Sequence, residues 1–122
     1  MSHILVIEDD EFFSEMLVEL LQQDGHKVSL AADGTKALQL LTLQRPDLII
    51  TDILMPNMDG VEFIMELAKQ GNQIPVIAMS GGRRSISPEF SLESAKLMGV
   101  KATLVKPFTQ KDLRQIVQSN LA

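Results

Sequence analysis

Five short apolar runs alternate along the chain with segments of helical spacing, and this alternation restricts the fold more than any other feature. Such runs predict strands, and the periodic segments between them predict crossover helices. The runs are Ile4-Leu5-Val6-Ile7, Val28-Ser29-Leu30-Ala31, Leu48-Ile49-Ile50-Thr51, Val76-Ile77-Ala78-Met79 and Thr103-Leu104-Val105. Strands joined by crossover helices are parallel, and uninterrupted apolar strands are buried on both faces. The pattern therefore predicts an α/β fold, a doubly wound parallel sheet of five strands with five helices.

Stop and start signals bound the predicted helices. Glycine follows the first, third and fourth helical segments, at Gly25, Gly71 and Gly99, where a left-handed residue ends a helix. Thr109 precedes the last segment as a predicted N-cap. A short fourth helix is predicted from Leu92, Ala95 and Met98.

Length and charge narrow the class of protein. The chain has 122 residues and a formal net charge of −5, and this length suits one globular core. We expect a single domain over residues 1–122, with no effector domain. Proteins that bind duplex DNA carry a basic face, whereas Arg83-Arg84 is a lone basic pair in this sequence. Direct binding to nucleic acid is not expected.

The sequence also lacks the patterns of secretion and membrane insertion. No basic stretch precedes a long apolar run near Met1, and no apolar run approaches the roughly 20 residues that span a bilayer. We therefore expect a cytoplasmic protein. The absence of cysteine excludes disulfides and thiolate metal sites.

Polar side chains that could bind a ligand or take part in a reaction follow four of the five predicted strands. They are Glu8 and Asp9 after the first, Asp52 after the third, Ser80 after the fourth and Lys106 after the fifth. An acidic residue after a single strand is most often a solvated loop residue or a helix N-cap. Doubly wound sheets, however, bind ligands beyond the carboxyl ends of their strands. The sequence therefore predicts that these side chains share one crevice.

The charges of this set predict a metal ion. Glu8, Asp9 and Asp52 place three negative charges in one small site, and Lys106 cancels only one of them. Oxygen ligands of this kind suit Mg²⁺, with Mn²⁺ as a substitute, and the two charges of the ion make the set neutral. In such a site the Asp52 carboxylate can accept a phosphoryl group. Lys106 would stabilise the developing negative charge, and the Ser80 hydroxyl would donate a hydrogen bond to it.

Three motifs carry a resemblance to the response-regulator receiver domains. Residues 4–10 resemble the first strand and acidic pair of that family, residues 52–60 its phosphoacceptor loop, and residues 106–108 its closing motif. The motifs are Ile-Leu-Val-Ile-Glu-Asp-Asp, Asp-Ile-Leu-Met-Pro-Asn-Met-Asp-Gly and Lys-Pro-Phe. The resemblance extends over essentially the whole chain, and it implies a flavodoxin-like sheet with the strand order 2-1-3-4-5.

The resemblance implies a role for each acidic residue of the set. Asp52 is the phosphoacceptor. Asp9 is the main Mg²⁺ ligand, and Glu8 acts largely through water. The backbone carbonyl of Leu54 completes the protein part of the metal shell.

The resemblance also implies roles for the residues that follow the last two strands. Ser80 senses the phosphoryl group, Lys106 pairs with it, and the bond before Pro107 is expected to be cis. The family usually carries an aromatic switch residue three positions before the lysine, where this chain has Thr103. Output by rotation of an aromatic ring cannot operate unchanged here. The segment 81–91 is also several residues longer than the family norm, either as a tolerated insertion or as a loop that binds a partner.

The resemblance to this family implies a signalling switch rather than an enzyme. A sensor histidine kinase or a histidine phosphotransfer protein would donate to Asp52. A downstream protein would then bind the face formed by the fourth helix, the fifth strand and the last helix. A relay that passes the phosphoryl group onward is the alternative.

Two other classes of function remain as alternatives. A Mg²⁺-dependent phosphohydrolase of the haloacid-dehalogenase type needs a second aspartate two residues after the nucleophile, where this chain has Leu54. A binding module that is never phosphorylated is disfavoured because the set of predicted site residues is intact.

Overall fold

The computed structural model describes residues 2–52, 60–80 and 99–121. The strands within these ranges are β1 (His3–Ile7), β2 (Lys27–Ala31), β3 (Leu48–Asp52), β4 (Val76–Ser80) and β5 (Ala102–Val105). The helices within them are α1 (Glu11–Gln23), α2 (Gly34–Leu41), α3 (Gly60–Lys69) and α4 (Gln110–Asn120), of which α4 is the last predicted helix. The predicted fourth helix, the long segment 81–91 and the residue Leu54 lie outside the described residues.

The strands form one parallel sheet in the order β2-β1-β3-β4-β5, which confirms the predicted fold class. The central strands β1 and β3 are neighbours, with Ile7 opposite Thr51. Two strands end one residue later than predicted, because Asp52 pairs with Met79 and Ser80 pairs with Val105 in the ladders. Because β1 and β3 are parallel neighbours, their carboxyl ends lie side by side at one edge of the sheet.

Helices cover both faces of the sheet. The side chains of Ile4 and Val6 belong to a buried cluster that includes residues of α1 and α4. Leu5 and Ile7 alternate with them and belong to a second cluster with residues of α2 and α3. Each fully buried aliphatic side chain contributes about 1.5–3 kcal/mol to folding. The two clusters make the sheet a rigid base for the side chains at its carboxyl edge.

Helix α1 begins at a defined residue beside that edge. Its N-cap is Asp10, whose Oδ1 accepts the backbone N–H of Phe13 at 3.1 Å. Gly25 follows the end of α1 with a φ of +88°, as the predicted glycine stop requires. Thr109 caps α4 as predicted, and Asp112 completes a capping box with it. No helix in the described ranges has the length and apolar content needed to cross a bilayer.

An ion pair joins the end of α1 to α4. The guanidinium of Arg114 donates to both oxygens of Asp24, with Nε 3.1 Å from Oδ2 and Nη2 2.9 Å from Oδ1. These hydrogen bonds lower the pKa of Asp24, and the charge of Arg114 lowers it further. The pair therefore favours the ionised form of Asp24 in the folded protein.

We expect Arg114→Gln to lower the free energy of unfolding at neutral pH and to lose this effect in acid. The pair stabilises the fold while Asp24 is ionised, above its ordinary pKa of 3.8. The contribution disappears as the pH falls through the lowered pKa of the folded protein. Urea unfolding at a series of pH values measures this, with Arg45→Gln as a control at another exposed arginine. A difference between Arg114→Gln and wild type that persists in acid would contradict the assignment.

Candidate functional site

Carboxylates from two neighbouring strands meet at the carboxyl edge of the sheet. Glu8 and Asp9 follow β1, and Asp52 is the last residue of β3. One oxygen from each of these three carboxylates lies within 4.8 Å of the other two. Glu8 is 2% exposed and Asp52 is 3% exposed, whereas Asp9 is half-buried. The structure thus brings the three predicted acidic residues together, with one of them open to solvent.

Lys106 reaches the same cluster from the end of β5. Its Nζ donates a hydrogen bond to Oε1 of Glu8 and lies 3.5 Å from Oδ2 of Asp52. The bond between Lys106 and Pro107 is cis, as the resemblance implies. Only 11% of the Lys106 side chain is exposed. The ammonium is therefore held against two buried carboxylates from other strands.

Both carboxylate oxygens of Glu8 are engaged. Oε1 accepts from Lys106, and Oε2 accepts the backbone N–H of Asp10 at 3.0 Å. Hydrogen bonds from a cation and from a backbone N–H replace the water that a buried carboxylate loses. Two protein donors therefore hold the Glu8 carboxylate in place, and its implied contact with a metal ion through water stays a prediction.

The charges of the cluster do not balance among the described side chains. Three carboxylates face one ammonium. Two like charges about 5 Å apart repel by on the order of 3 kcal/mol at an effective dielectric constant of about 20. A divalent cation removes this repulsion, and oxygen ligands of this kind are those that Mg²⁺ prefers. The donor set therefore fits a hard divalent ion in both charge and chemistry.

An aromatic ring completes the surroundings of Lys106. The Nζ atom lies 4.2 Å from the ring centroid of Phe13, on the first turn of α1. The ring of Phe108 lies nearly perpendicular to that of Phe13, with 5.6 Å between centroids and an angle of 87°. In the sequence, Phe13 is one of several apolar residues at helical spacing after the first strand, a pattern that predicts a core position. Its position four residues after Asp9 was the one sequence feature that placed it near the predicted site.

The remaining predicted site residues are only partly described. Ser80 is the last residue of β4, and its backbone lies opposite Val105. Its side chain, like the carbonyl of Leu54, lies outside the described part of the structure. Thr103 lies in β5 opposite Ala78 and is half-buried. All of the site roles that the resemblance implies stay predictions.

Known proteins resemble this chain in sequence and in fold. The family model of the response regulator receiver domain matches residues 4–118. Response regulator MprA of Mycobacterium sp. (strain KMS) is 36% identical over 110 residues, which are 90% of this chain and 46% of that protein. The chain thus spans about half the length of the curated relatives that it matches.

Solved structures match over almost the whole chain. Chemotaxis protein CheY4 of Vibrio cholerae is 32% identical with a TM-score of 0.87, and 99% of each chain is covered. A receiver domain of a signal transduction histidine kinase from Syntrophus aciditrophicus is 30% identical with a TM-score of 0.85, over 99% of this chain and 90% of that one. With the family model matched from residue 4 to residue 118, the chain belongs to the response regulator receiver domain family.

Proposed function

We propose that this receiver takes a phosphoryl group from a phosphohistidine onto Asp52, with Mg²⁺ bound beside it. Receiver domains are phosphoacceptor modules of two-component signalling rather than enzymes in the ordinary sense. The observation that carries the proposal is the convergence of Glu8, Asp9, Asp52 and Lys106 from three separate strand ends. No single local segment of the chain could supply that set.

The proposed transfer is a displacement at phosphorus. An oxygen of the Asp52 carboxylate forms a bond to phosphorus while the phosphorus–nitrogen bond of the donor histidine breaks. The electron pair of the broken bond stays on the imidazole nitrogen. The product is an acyl phosphate on Asp52. Because negative charge spreads over the phosphoryl oxygens during transfer, the site must supply positive charge near Asp52.

Lys106 is the described residue that supplies this charge. Its ammonium lies 3.5 Å from Oδ2 of Asp52, within reach of an oxygen attached to a phosphorus on that carboxylate. Glu8 orients the ammonium through a direct hydrogen bond. The Ser80 hydroxyl is proposed to donate to another phosphoryl oxygen.

Residues that would hold the metal ion are Asp9 and Asp52 directly, Glu8 through water, and the carbonyl of Leu54. When bound, Mg²⁺ or Mn²⁺ supplies positive charge and a fixed coordination geometry for phosphoryl oxygens. The half-buried Asp9 is the member of the cluster that solvent reaches most easily. The chain's own contribution is to hold three carboxylates in place against their mutual repulsion.

The proposed partners follow from this chemistry. A cytoplasmic sensor histidine kinase or a histidine phosphotransfer protein supplies the phosphoryl group. A downstream protein reads the phosphorylated state at the face that includes β5 and α4, where Val105 is 51% exposed. With Thr103 in place of an aromatic residue, the change that this partner reads is not rotation of a ring at that position. Passage of the phosphoryl group to a further histidine is the alternative output.

Incubation of the chain with acetyl phosphate and Mg²⁺ tests the proposal. We expect the intact mass to rise by one phosphoryl group and fragmentation to locate that group on Asp52. Removing the metal with EDTA should prevent the gain, and Mn²⁺ should restore it. No gain with acetyl phosphate or a phosphohistidine donor, or a gain at another residue, would contradict the proposal. Catalytic turnover of small phosphate esters that depends on Asp52 would instead favour a phosphohydrolase.

A further inference from the structure

Lys106 contacts an aromatic ring as well as carboxylates. Its Nζ lies 4.2 Å from the ring centroid of Phe13, within the range in which the negative face of a ring attracts a cation. We infer that Phe13 is a positioning residue, whose π face holds the Lys106 ammonium beside Asp52. The inference rests on the proposed function, because it concerns the cation that meets the phosphoryl oxygens.

The position of the Phe13 ring is fixed through the backbone of the turn that precedes it. The Phe13 N–H donates to the side chain of the N-cap Asp10, and the Asp10 N–H donates to Oε2 of Glu8. Glu8 in turn accepts from Lys106 through Oε1. One short segment between β1 and α1 thus carries both the ring and the carboxylate that contact the ammonium. The two contacts cannot shift far relative to each other.

A second aromatic ring, that of Phe108, fixes the orientation of the Phe13 ring. Phe108 packs edge to face with Phe13, at 5.6 Å between centroids and 87° between planes. Both rings are half-buried and pack against the core cluster between the sheet, α1 and α4. Perpendicular pairs of this kind are favourable beyond the area they bury. The ring therefore presents a constant face to Lys106.

A ring suits this task better than another carboxylate or an aliphatic side chain. Attraction to a π face has no single preferred hydrogen-bond direction, so Nζ can turn from Glu8 towards a phosphoryl oxygen on Asp52 while it stays over the ring. A third carboxylate on Lys106 would add to the negative charge of the cluster. Leucine at position 13 would fill similar space but would exert no such attraction.

Fluorinated phenylalanines at position 13 test the inference. Each added fluorine weakens the attraction of the ring for a cation with little change in its shape. Across 4-fluoro-, 3,5-difluoro- and 3,4,5-trifluorophenylalanine, we expect the rate of Asp52 phosphorylation by acetyl phosphate to fall stepwise, by about 3- to 10-fold in total. The matched control is the same series at Phe63, which is fully buried in the other core cluster. There the rate should stay constant.

A second measurement needs neither metal nor phosphodonor. Protons above a ring face are shielded, so the ε-methylene protons of Lys106 should resonate upfield of ordinary lysines in NMR spectra. Phe13→Leu should return them to the ordinary range, and Phe63→Leu should leave them shifted.

The outcomes separate the two proposals. A phosphorylation rate that does not change across the fluorinated series at Phe13, or that falls equally at Phe13 and Phe63, overturns the positioning role. The proposed function still stands in that case if wild type is phosphorylated on Asp52. A wild-type chain that never gains a phosphoryl group overturns the proposed function and the inference together. A graded fall at Phe13 alone, with the upfield Lys106 protons, supports both.

Discussion

Asp52→Asn is expected to abolish phosphorylation and, in the absence of metal, to stabilise the folded protein. The two effects have one cause. Asp52 is 3% exposed and lies near two other carboxylates, so the charge that the proposed transfer requires disfavours the folded state. An asparagine keeps the shape, removes the charge and leaves no carboxylate to form an acyl phosphate. We expect the free energy of unfolding of the metal-free protein to rise by about 1–3 kcal/mol.

The difference in stability between wild type and variant is expected to shrink when Mg²⁺ is added. A ligand that binds only the folded state stabilises it more when it binds more tightly, and Asp52→Asn removes one charged oxygen from the proposed metal site. Wild type should therefore gain more stability from Mg²⁺ than the variant. Urea unfolding with and without Mg²⁺, together with intact mass after acetyl phosphate, measures both effects. Glu19→Gln, an exposed glutamate on α1, is the control for a change in net charge alone. Destabilisation of the metal-free Asp52→Asn protein would contradict the account of the charges.

Lys106→Met is expected to slow phosphorylation by about 100-fold or more and to destabilise the metal-free protein. Removing one preorganised positive group from a site of charge development typically costs a factor of 10² to 10³ in rate. The variant also leaves Glu8 and Asp52 buried without their shared cation. Breaking a buried ion pair from one side costs about 3–5 kcal/mol.

The opposite signs of these two stability effects make the pair of variants informative. Lys111→Met removes an exposed lysine on α4 and should change neither rate nor stability appreciably. Phosphorylation rates come from the time course of intact mass, and stabilities from urea unfolding. A Lys106→Met protein that is phosphorylated at the wild-type rate would show that the ammonium has no part in the transfer.

Most of the fold follows from the periodicity of apolar residues. Apolar runs of three or four residues, such as Leu48-Ile49-Ile50-Thr51, predicted all five strands, because burial on both faces requires uninterrupted apolar sequence. Gly25 and Thr109 marked helix ends because their backbone and side-chain chemistry suits those positions. The exact ends of the strands were harder to predict, because whether Asp52 belongs to β3 depends on its pairing with Met79 in a neighbouring strand.

The acidic cluster could be predicted because parallel strands place their carboxyl ends at one edge. That rule brings Glu8 and Asp52 together without knowledge of side-chain positions. The hydrogen bond between Lys106 and Glu8 could not be predicted, since it depends on side-chain geometry across 98 residues of sequence. The contact between Lys106 and Phe13 is of the same kind, because a phenylalanine on an apolar helix face is most often core. Only the short distance between the Phe13 ring and Nζ of Lys106 distinguishes this phenylalanine from an ordinary core residue.

The central claim is that side chains from separate strands form one site at which the Asp52 carboxylate is phosphorylated. A crystal structure with Mg²⁺ and beryllium trifluoride, a stable mimic of a phosphoryl group, tests it most directly. We expect beryllium bonded to a carboxylate oxygen of Asp52, the metal ion on Asp9 and Asp52, and Nζ of Lys106 against a fluoride. Beryllium on a different side chain, or Lys106 turned away from the adduct, would contradict the claim.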